Sequence, residues 1–407
     1  MLGEGLVVES LAVSIQAAEI LLAAALVLPC TVLLIEVLVA VIGRDVAKRQ
    51  QSSLVPVRRA ILMPAHNEAT VIQATLATLT PQLNATDRLV VVADNCTDAT
   101  AEIARQAGAT VLERQNDRQR GKGYALDFGI RHLSQNAPDV LIMVDADCQV
   151  KPGAIDAIST LALSTQRPVQ ATYLLEQSPE PAPKEMVSTF AFKVKNLVRP
   201  LGLRLLGQPC LLTGTGMAFP WATLKDVDLA SGNIVEDMKL GLDLAIAGHA
   251  PIMCPGALVT GDQPQQDATA MTQRTRWEHG HLQTLLTCVP PLLWQGLKQG
   301  RIGLIALALD LCVPPLSLLV MLWVAGAALV TAMTLLFSTI WLPAMAVYGS
   351  GLGLLIAICL AWSGFARQDI PLNKLLSIPL YVLWKIPLYF KFLKGPEAQW
   401  IRTDREN

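Results

Sequence analysis

The chain has 407 residues, of which 52% are hydrophobic and 16% are charged, and its formal net charge is −1. Soluble domains are about 25% charged, so this composition argues against intrinsic disorder and against a wholly soluble, highly charged protein, and the net charge gives no bulk electrostatic basis for binding nucleic acid. None of the eight cysteines forms a C-x-x-C pair, so neither a zinc site nor a disulfide framework is indicated.

The first predicted element is an apolar helix over about 17–42, which is long enough to cross a bilayer. A signal peptide is the alternative, but no basic residue precedes the apolar run and no small-residue cleavage site follows it. Glu36 lies near one end of this helix, where its carboxylate could reach the membrane interface. We therefore predict that segment 1–43 spans the membrane.

Residues 44–300 have the charge content of a soluble domain, and strand-like segments alternate with helix-like ones. The predicted strands cover 58–64, 88–93, 109–112 and 140–144. The predicted helices that follow them cover 68–79, 98–107, 123–133 and 152–163. Four successive strand–helix units predict an α/β domain with a mostly parallel sheet and helices on both faces.

Polar side chains follow three of these strands, at the end where such sheets bind ligands. They are His66-Asn67-Glu68, Asp94-Asn95 and Asp145-Ala146-Asp147. The two carboxylates of the last group would repel each other unless a cation lay between them. Mg²⁺ or Mn²⁺, held by one or two carboxylates and a substrate phosphate, is the usual solution. For the tripeptide alone, a solvated loop is the alternative.

Further motifs are each weak by themselves. Arg120-Gly121-Lys122-Gly123 precedes a helix and suits a diphosphate, although it is not a Walker loop. Thr213-Gly214-Thr215-Gly216-Met217 interrupts an apolar stretch, and Glu236-Asp237 opens a helical pattern, where acids are also favoured by the helix dipole alone. Helical spacing places Gln273, Arg276 and Trp277 on one face. This set suits a phosphate and a sugar ring, but it also occurs on helices at a membrane rim.

The C-terminal region, 301–366, is again apolar, with one charge, Asp310, in the 65 residues between Arg301 and Arg367. Two spans are predicted, at about 312–337 and 342–364, with 302–311 as a partly buried approach. Residues 371–394 mix aromatic residues, lysines and prolines, and are predicted to lie in the interface plane; a third C-terminal span is the alternative. Basic residues crowd after both membrane regions, which predicts that the domain 44–300 and the tail 367–407 face the cytosol.

Together these motifs resemble one family. The motifs, in chain order, are P-A-H-N-E (64–68), D-N-C-T-D (94–98), G-K-G (121–123), D-A-D (145–147), G-T-G-M (214–217), E-D (236–237) and Q-R-T-R-W (273–277). This order is similar to that of the membrane-bound inverting glycosyltransferases of family 2, which include cellulose, hyaluronan and poly-N-acetylglucosamine synthases and ceramide glucosyltransferase. The resemblance covers about 58–300 and implies a GT-A fold: an α/β domain with a mostly parallel sheet, flanking helices, and added transmembrane and interfacial helices.

The resemblance also implies a role for each motif residue. Pro64, Glu68 and Asp94 would frame the nucleotide, with Lys122 beside it. Asp145 would contact the nucleotide sugar, and Asp147 would hold Mg²⁺ or Mn²⁺ on the diphosphate. Asp237 would be the general base, with Glu236 as the alternative. Arg276 would face the diphosphate, whereas Gln273, Trp277, Gly214 and Gly216 would lie towards the acceptor.

The function that this resemblance implies is sugar transfer, with inversion, from a nucleotide-diphosphate sugar. UDP is expected over GDP. Processive synthases that extrude a polymer have more spans than the three predicted here, so a lipid-linked or membrane-proximal glycan acceptor is favoured, in cell-surface or exopolysaccharide synthesis at the plasma or inner membrane. The alternatives are a processive synthase working as a homo-oligomer or with a partner channel, and a non-catalytic membrane scaffold that binds nucleotide sugar. The chain has Val235 where the family often has threonine in T-E-D, a change that need not affect the base.

Overall fold

The computed structural model of the protein describes residues 2–47, 57–224, 235–263, 267–375 and 377–395. Within these residues, an α/β domain is joined to long apolar helices that come from both ends of the chain. The end of the predicted cytosolic tail, 396–407, lies outside the described residues.

Eight strands of the described chain form one sheet. They are β1 (Arg59–Ala65), β2 (Arg88–Asp94), β3 (Thr110–Arg114), β4 (Val140–Met143), β5 (Cys148–Val150), β6 (Val169–Leu175), β7 (Met217–Pro220) and β8 (Ile252–Gly261). Their order across the sheet is β3-β2-β1-β4-β7-β6-β8-β5. The four predicted strands, β1 to β4, pair in parallel, as expected. The other half of the sheet is mixed, because β7 runs antiparallel to both β4 and β6, and β5 runs antiparallel to β8.

Helices cover both faces of the sheet. They are α2 (Ile72–Leu79), α3 (Thr100–Gln106), α4 (Lys122–Leu133), α5 (Ala154–Thr165), α6 (Pro183–Lys193), α7 (Arg199–Leu205) and α8 (Glu236–Ile246). Helices α2, α3 and α5 begin later than the predicted residues 68, 98 and 152. Helix α2 does not begin at Glu68, because Asn67 has a left-handed backbone conformation with φ of 54° and the chain turns before Ile72. Helix α3 begins at Thr100, whose backbone N–H donates to the Asp98 carboxylate.

The apolar helices are close to those predicted. Helix α1 (Leu2–Ala47) includes a candidate membrane span, Ala12–Asp45, and two more candidates are α11 (Leu316–Phe337) and α12 (Leu342–Phe365). The predicted approach forms α10 (Ile302–Leu311), which follows the long helix α9 (Asp267–Gln299). A fourth candidate span covers 372–394 and is broken into α13 (Leu372–Leu375), α14 (Ile378–Trp384) and α15 (Ile386–Lys394). Its interfacial position stays a prediction.

A buried ion triad joins the sheet domain to the apolar helices. The Arg199 guanidinium, at the start of α7, lies 3.0 Å from the Glu36 carboxylate of α1 and 2.5 Å from the Asp310 carboxylate of α10. Gly202 allows this close approach, since a Cβ atom there would lie 2.1 Å from the Glu36 carbonyl oxygen. We expected that the Glu36 carboxylate could reach the membrane interface. The structure differs, because this carboxylate is buried and paired with Arg199.

Candidate active site

The predicted polar residues at the strand ends line one cleft of about 750 Å³. Asp94 ends β2, while Glu68 and Asp145 follow β1 and β4, and these three strands are neighbours in the sheet. Twelve of the thirteen predicted site residues line this cleft. They are Pro64, Glu68, Asp94, Lys122, Asp145, Asp147, Gly214, Glu236, Asp237, Gln273, Arg276 and Trp277.

Gly216 is the exception, because it is not part of the cleft wall. Its φ is 64°, and a Cβ atom there would lie 2.8 Å from Val259 Cγ2 and 3.0 Å from the Ala171 side chain. Glycine is therefore required for the backbone turn and for packing against the sheet. Contact between Gly216 and an acceptor, predicted from the motif, finds no support in this position.

Lys122 joins three motifs at the centre of the cleft. Its Nζ atom lies 2.5 Å from Asp145 Oδ1 and 3.9 Å from Glu236 Oε1, and it donates a hydrogen bond to the Gly214 carbonyl oxygen at 2.8 Å. Burial alone would lower the pKa of Lys122, but the carboxylates of Asp145 and Glu236 outweigh burial and raise it. Lys122 is therefore a fixed positive charge that holds the D-A-D, G-T-G-M and E-D motifs together.

A candidate metal site lies beside Lys122. The ligand atoms of Asp145, Asp147 and Cys148 lie within 4.8 Å of one another. Burial, with the nearby Asp147 and Asp145 charges, raises the pKa of the Cys148 thiol well above its usual value, so the sulfur is a neutral thiol. Hard cations such as Mg²⁺ and Mn²⁺ prefer oxygen ligands. The two carboxylates therefore fit such a cation, whereas Cys148, which the sequence motifs did not single out, is a poor ligand for it.

Asp94 is held in place by an arginine that no motif predicted. Its Oδ1 atom accepts hydrogen bonds from Arg114 at 2.6 Å and from the Asn95 side chain at 3.1 Å, and both members of the ion pair are buried. The His66 ring contacts the Asp94 carbonyl oxygen at 2.6 Å. These contacts fix the orientation of the Asp94 carboxylate at the end of β2.

Two helices complete the cleft on the far side. Glu236 and Asp237 lie in the first turn of α8, and burial raises the pKa of Glu236 to about 7 although Lys122 opposes the change. Gln273, Arg276 and Trp277 lie on α9 and all line the cleft, as their helical spacing predicted. The Trp277 ring packs against Phe192, with 5.7 Å between ring centroids.

The cleft continues to the apolar helices. The sequence predicted these helices but not that they line the cleft. Leu33 of α1, the segment 313–317 before and within α11, and Tyr381 and Lys385 of the C-terminal segment all belong to its wall. Glu278, the residue after Trp277, is bonded to the Lys385 ammonium and to the Tyr389 hydroxyl, so α9 is tied to this segment. The same cleft thus extends from the strand ends to the candidate membrane spans.

Comparisons with known proteins identify the family of the chain. Residues 56–280, more than half of the chain, match the model of the glycosyltransferase-like family 2. The uncharacterized protein MJ1222 of Methanocaldococcus jannaschii is 31% identical over 117 residues, which are 28% of this chain and 46% of that protein. The present chain thus spans less than half the length of that relative.

Solved structures show the fold. The mannosyltransferase PcManGT from Pyrobaculum calidifontis, crystallised with GDP-Man and Mn²⁺, aligns over 94% of this chain and 100% of its own, with a TM-score of 0.55 and 18% identity. Glucosyl-3-phosphoglycerate synthase from Mycobacterium tuberculosis, crystallised with Mn²⁺, UDP and glucosyl-3-phosphoglycerate, aligns over 58% of this chain and 81% of its own, with a TM-score of 0.35 and 19% identity. The first alignment confirms the predicted α/β fold with added apolar helices.

Proposed function

This chain belongs to the glycosyltransferase-like family 2, and we propose that it transfers a sugar, with inversion, from a nucleotide-diphosphate sugar to a lipid-linked or membrane-proximal glycan acceptor. The product would enter cell-surface or exopolysaccharide synthesis. The observation that best supports this proposal is that one cleft contains the Lys122–Asp145 pair, the acids Glu236 and Asp237, and residues of the candidate membrane spans.

The donor would occupy the end of the cleft at the strand tips. Pro64, Glu68 and Asp94 would frame the base and ribose, and Lys122 would lie beside the nucleotide. Asp147, with Asp145, would hold Mg²⁺ or Mn²⁺, and the cation would neutralise the diphosphate as it leaves. The fold neighbour that aligns over 94% of this chain was crystallised with GDP-Man and Mn²⁺. UDP remains our first expectation for the nucleotide, with GDP as the alternative.

The acceptor would enter from the other end of the cleft. Asp237, in the first turn of α8, would take the proton of the attacking hydroxyl. Arg276 would face the departing diphosphate, and Gln273 and Trp277 would hold the acceptor. A single in-line displacement inverts the anomeric carbon, so the reaction needs no nucleophile from the protein.

The small number of candidate membrane spans supports a non-processive reaction. The described chain has four helices with the length and composition of membrane spans, and one of these is broken into three short helices. So few helices offer little wall for a polymer channel. We propose that the protein is integral to the plasma or inner membrane and that its catalytic domain faces the cytosol, where nucleotide sugars are made.

The test uses detergent-purified protein, a panel of radiolabelled UDP- and GDP-sugars, Mn²⁺ or Mg²⁺, and a membrane lipid extract. We expect metal-dependent transfer of label into the organic phase, and slow release of free sugar without lipid. Label in a long water-soluble polymer would instead support a processive synthase. Metal-dependent donor binding with neither transfer nor hydrolysis would support a non-catalytic scaffold.

A further inference from the structure

A lysine between the proposed base and the apolar helices has no assigned role. Lys195 lies in the π turn Val194–Val198, between α6 and α7, and is part of the cleft wall. Within the described part of the chain, its ammonium makes no hydrogen bond or ion pair. The charges that act on it most strongly are those of Asp237, Arg199, Glu278 and Asp310. Lys195 therefore lies on the acceptor side of the cleft.

A buried histidine lines the same part of the cleft. His281, one turn beyond Trp277 on α9, is 2% exposed. Neither ring nitrogen makes a hydrogen bond of normal geometry to the described residues, although the carbonyl groups of Leu311 and Val313 are close enough to act on its pKa. Burial, together with the charges of Lys195 and Arg199, holds the pKa of His281 well below its usual value. The ring is therefore neutral and can donate one N–H.

Apart from Asp237, the charged groups that act most strongly on Lys195 are already paired. Glu278 is bonded to Lys385 and Tyr389, and Arg199 is bonded to Glu36 and Asp310. Burial lowers the pKa of Lys195, with Arg199 adding to the effect and Asp237 opposing it. The Lys195 side chain is partly exposed in the cleft and has no paired acid among the described residues, so an anionic ligand would stabilise its charge. Lys195 thus presents its ammonium to the cleft, whereas the buried nitrogens of His281 would donate to a ligand there only if the ring turned towards it.

An apolar crevice opens from the same cleft. It is lined by residues of α6, α11, α12 and α14, and it shares Ala191, Leu316, Ser317 and Tyr381 with the cleft. The crevice is narrow, about 20 Å³, so a hydrocarbon chain would enter it only if α14 moved outwards. It offers an apolar path from the cleft towards the candidate span α11.

We propose that Lys195 and His281 form a binding subsite for a phosphate group of the acceptor lipid, whose hydrocarbon chain leaves along this crevice. The inference rests on the proposed function and deepens it, because it gives the acceptor's chemical class. The phosphate would lie between the membrane and the acceptor hydroxyl at Asp237.

Binding is measured on the full chain in maltoside detergent with decyl phosphate as the probe. EDTA is present so that the metal site cannot bind the phosphate. The apparent Kd comes from the rise of the unfolding temperature with probe concentration. Decanol has the hydrocarbon chain of the probe without its phosphate charge, and inorganic phosphate has the charge without the hydrocarbon chain. We expect saturable binding of decyl phosphate, at least tenfold weaker binding of inorganic phosphate, and no saturable effect of decanol.

Variants test the two residues. Lys195→Met and His281→Phe should each weaken decyl phosphate binding at least tenfold, whereas Lys195→Arg should bind within about threefold of the wild type. Lys298→Met, which removes an exposed ammonium at the end of α9, is the matched control and should bind as the wild type does. Mn²⁺-dependent nucleotide binding shows that each variant is folded. If Lys195→Met fails to fold, Lys195→Gln takes its place.

The two proposals can fail separately. Unchanged decyl phosphate affinity in folded Lys195→Met and His281→Phe would overturn the subsite, even if the protein transfers sugar. Equal affinity for inorganic phosphate, or saturable binding of decanol, would overturn the assignment to a lipid phosphate. If the wild type neither hydrolyses nor transfers any nucleotide sugar, the proposed function fails, whereas decyl phosphate binding that depends on Lys195 would still support the site.

Discussion

The Tyr389 hydroxyl donates a hydrogen bond of 2.6 Å to the Glu278 carboxylate. Tyr389 belongs to α15, close to the end of the described chain, and Glu278 follows Trp277 on α9. The same hydroxyl lies 2.9 Å from Ser317 Oγ of α11. One phenol therefore links the C-terminal segment, the helix of the Q-x-x-R-W motif and a candidate membrane span.

The first prediction concerns this link. Tyr389→Phe removes one hydrogen bond to a charged group, which typically costs about 1.5–3 kcal/mol. Lys385→Met leaves the Glu278 carboxylate without its cation partner, and breaking such a buried pair typically costs about 3–5 kcal/mol. We expect the unfolding temperature to fall in both variants, and further in Lys385→Met. Lys394→Met, at an exposed lysine of the same segment, should unfold as the wild type does. Equal unfolding temperatures in all four proteins would show that the link is not stabilising.

The second prediction concerns the candidate metal ligand. Asp147→Asn should lose metal-dependent donor binding, because a neutral amide cannot balance the charge of a divalent cation. We expect the affinity gained on adding Mn²⁺ to fall at least tenfold, as measured by titration of a nucleotide diphosphate with and without the metal. Asp117→Asn changes an acid whose side chain is 88% exposed and should keep the full metal effect. If Mn²⁺ increased the donor affinity of Asp147→Asn as much as that of the wild type, other residues would hold the cation.

The motif residues could be predicted because parallel strands end at one edge of the sheet. Glu68, Asp94 and Asp145 follow three neighbouring strands, so strand periodicity was enough to bring them together. Cys148, Arg114, Lys195 and His281 could not be predicted in the same way. Arg114 is 20 residues from Asp94, and Lys195 becomes part of the cleft only because α8 and α9 fold beside it.

The mixed half of the sheet could not be predicted either. Strand β5 has three residues, too few to show a periodic pattern. Strand β7 pairs with β4, which lies far before it in the chain. The Arg199–Glu36–Asp310 triad is a similar case, since its members are 163 and 111 residues apart. Each charge was visible in the sequence, but nothing local indicated its partner.

The third prediction concerns the proposed base. Asp237→Asn should still bind the donor and lose transfer, because removal of a general base typically costs about 10²–10⁴-fold in rate. Single-turnover transfer and separate donor titration distinguish the two effects. Asp243→Asn, two turns further along α8 and paired with Lys239 at the surface, is the matched control and should turn over normally. Near-normal turnover in Asp237→Asn would assign the base elsewhere, and Glu236→Gln would then be expected to lose transfer.

The fourth prediction follows from the pKa of Glu236, which burial raises from 4.5 to about 7. Because the folded state holds this proton more tightly, its stabilising effect is complete below pH 4.5 and is lost as the pH rises through about 7. The difference corresponds to about 3 kcal/mol at most. We expect the unfolding temperature of the metal-free wild type to fall between pH 5 and pH 8, measured in steps. The unfolding temperature of Glu236→Gln should fall clearly less over the same pH range. If the unfolding temperatures of both proteins fell in parallel with pH, Glu236 would not be the group responsible.

The last prediction concerns topology, on which access to the donor depends. With the native cysteines replaced, single cysteines at Gly5, Thr110 and Thr403 are exposed to a membrane-impermeant thiol reagent on intact and permeabilised cells. Gly5 precedes the first candidate span, Thr110 is an exposed residue of the sheet domain, and Thr403 follows the broken segment 372–394.

We expect Gly5 to react on intact cells, and Thr110 and Thr403 to react only after permeabilisation, because basic residues after both membrane regions favour the cytosol. Labelling of Thr403 from outside would mean that segment 372–394 crosses the membrane, since this crossing would make the number of C-terminal spans odd. Labelling of Thr110 from outside would have the larger consequence. It would separate Asp147 and Asp237 from cytosolic nucleotide sugars, and the proposed reaction would then require a donor on the outer side.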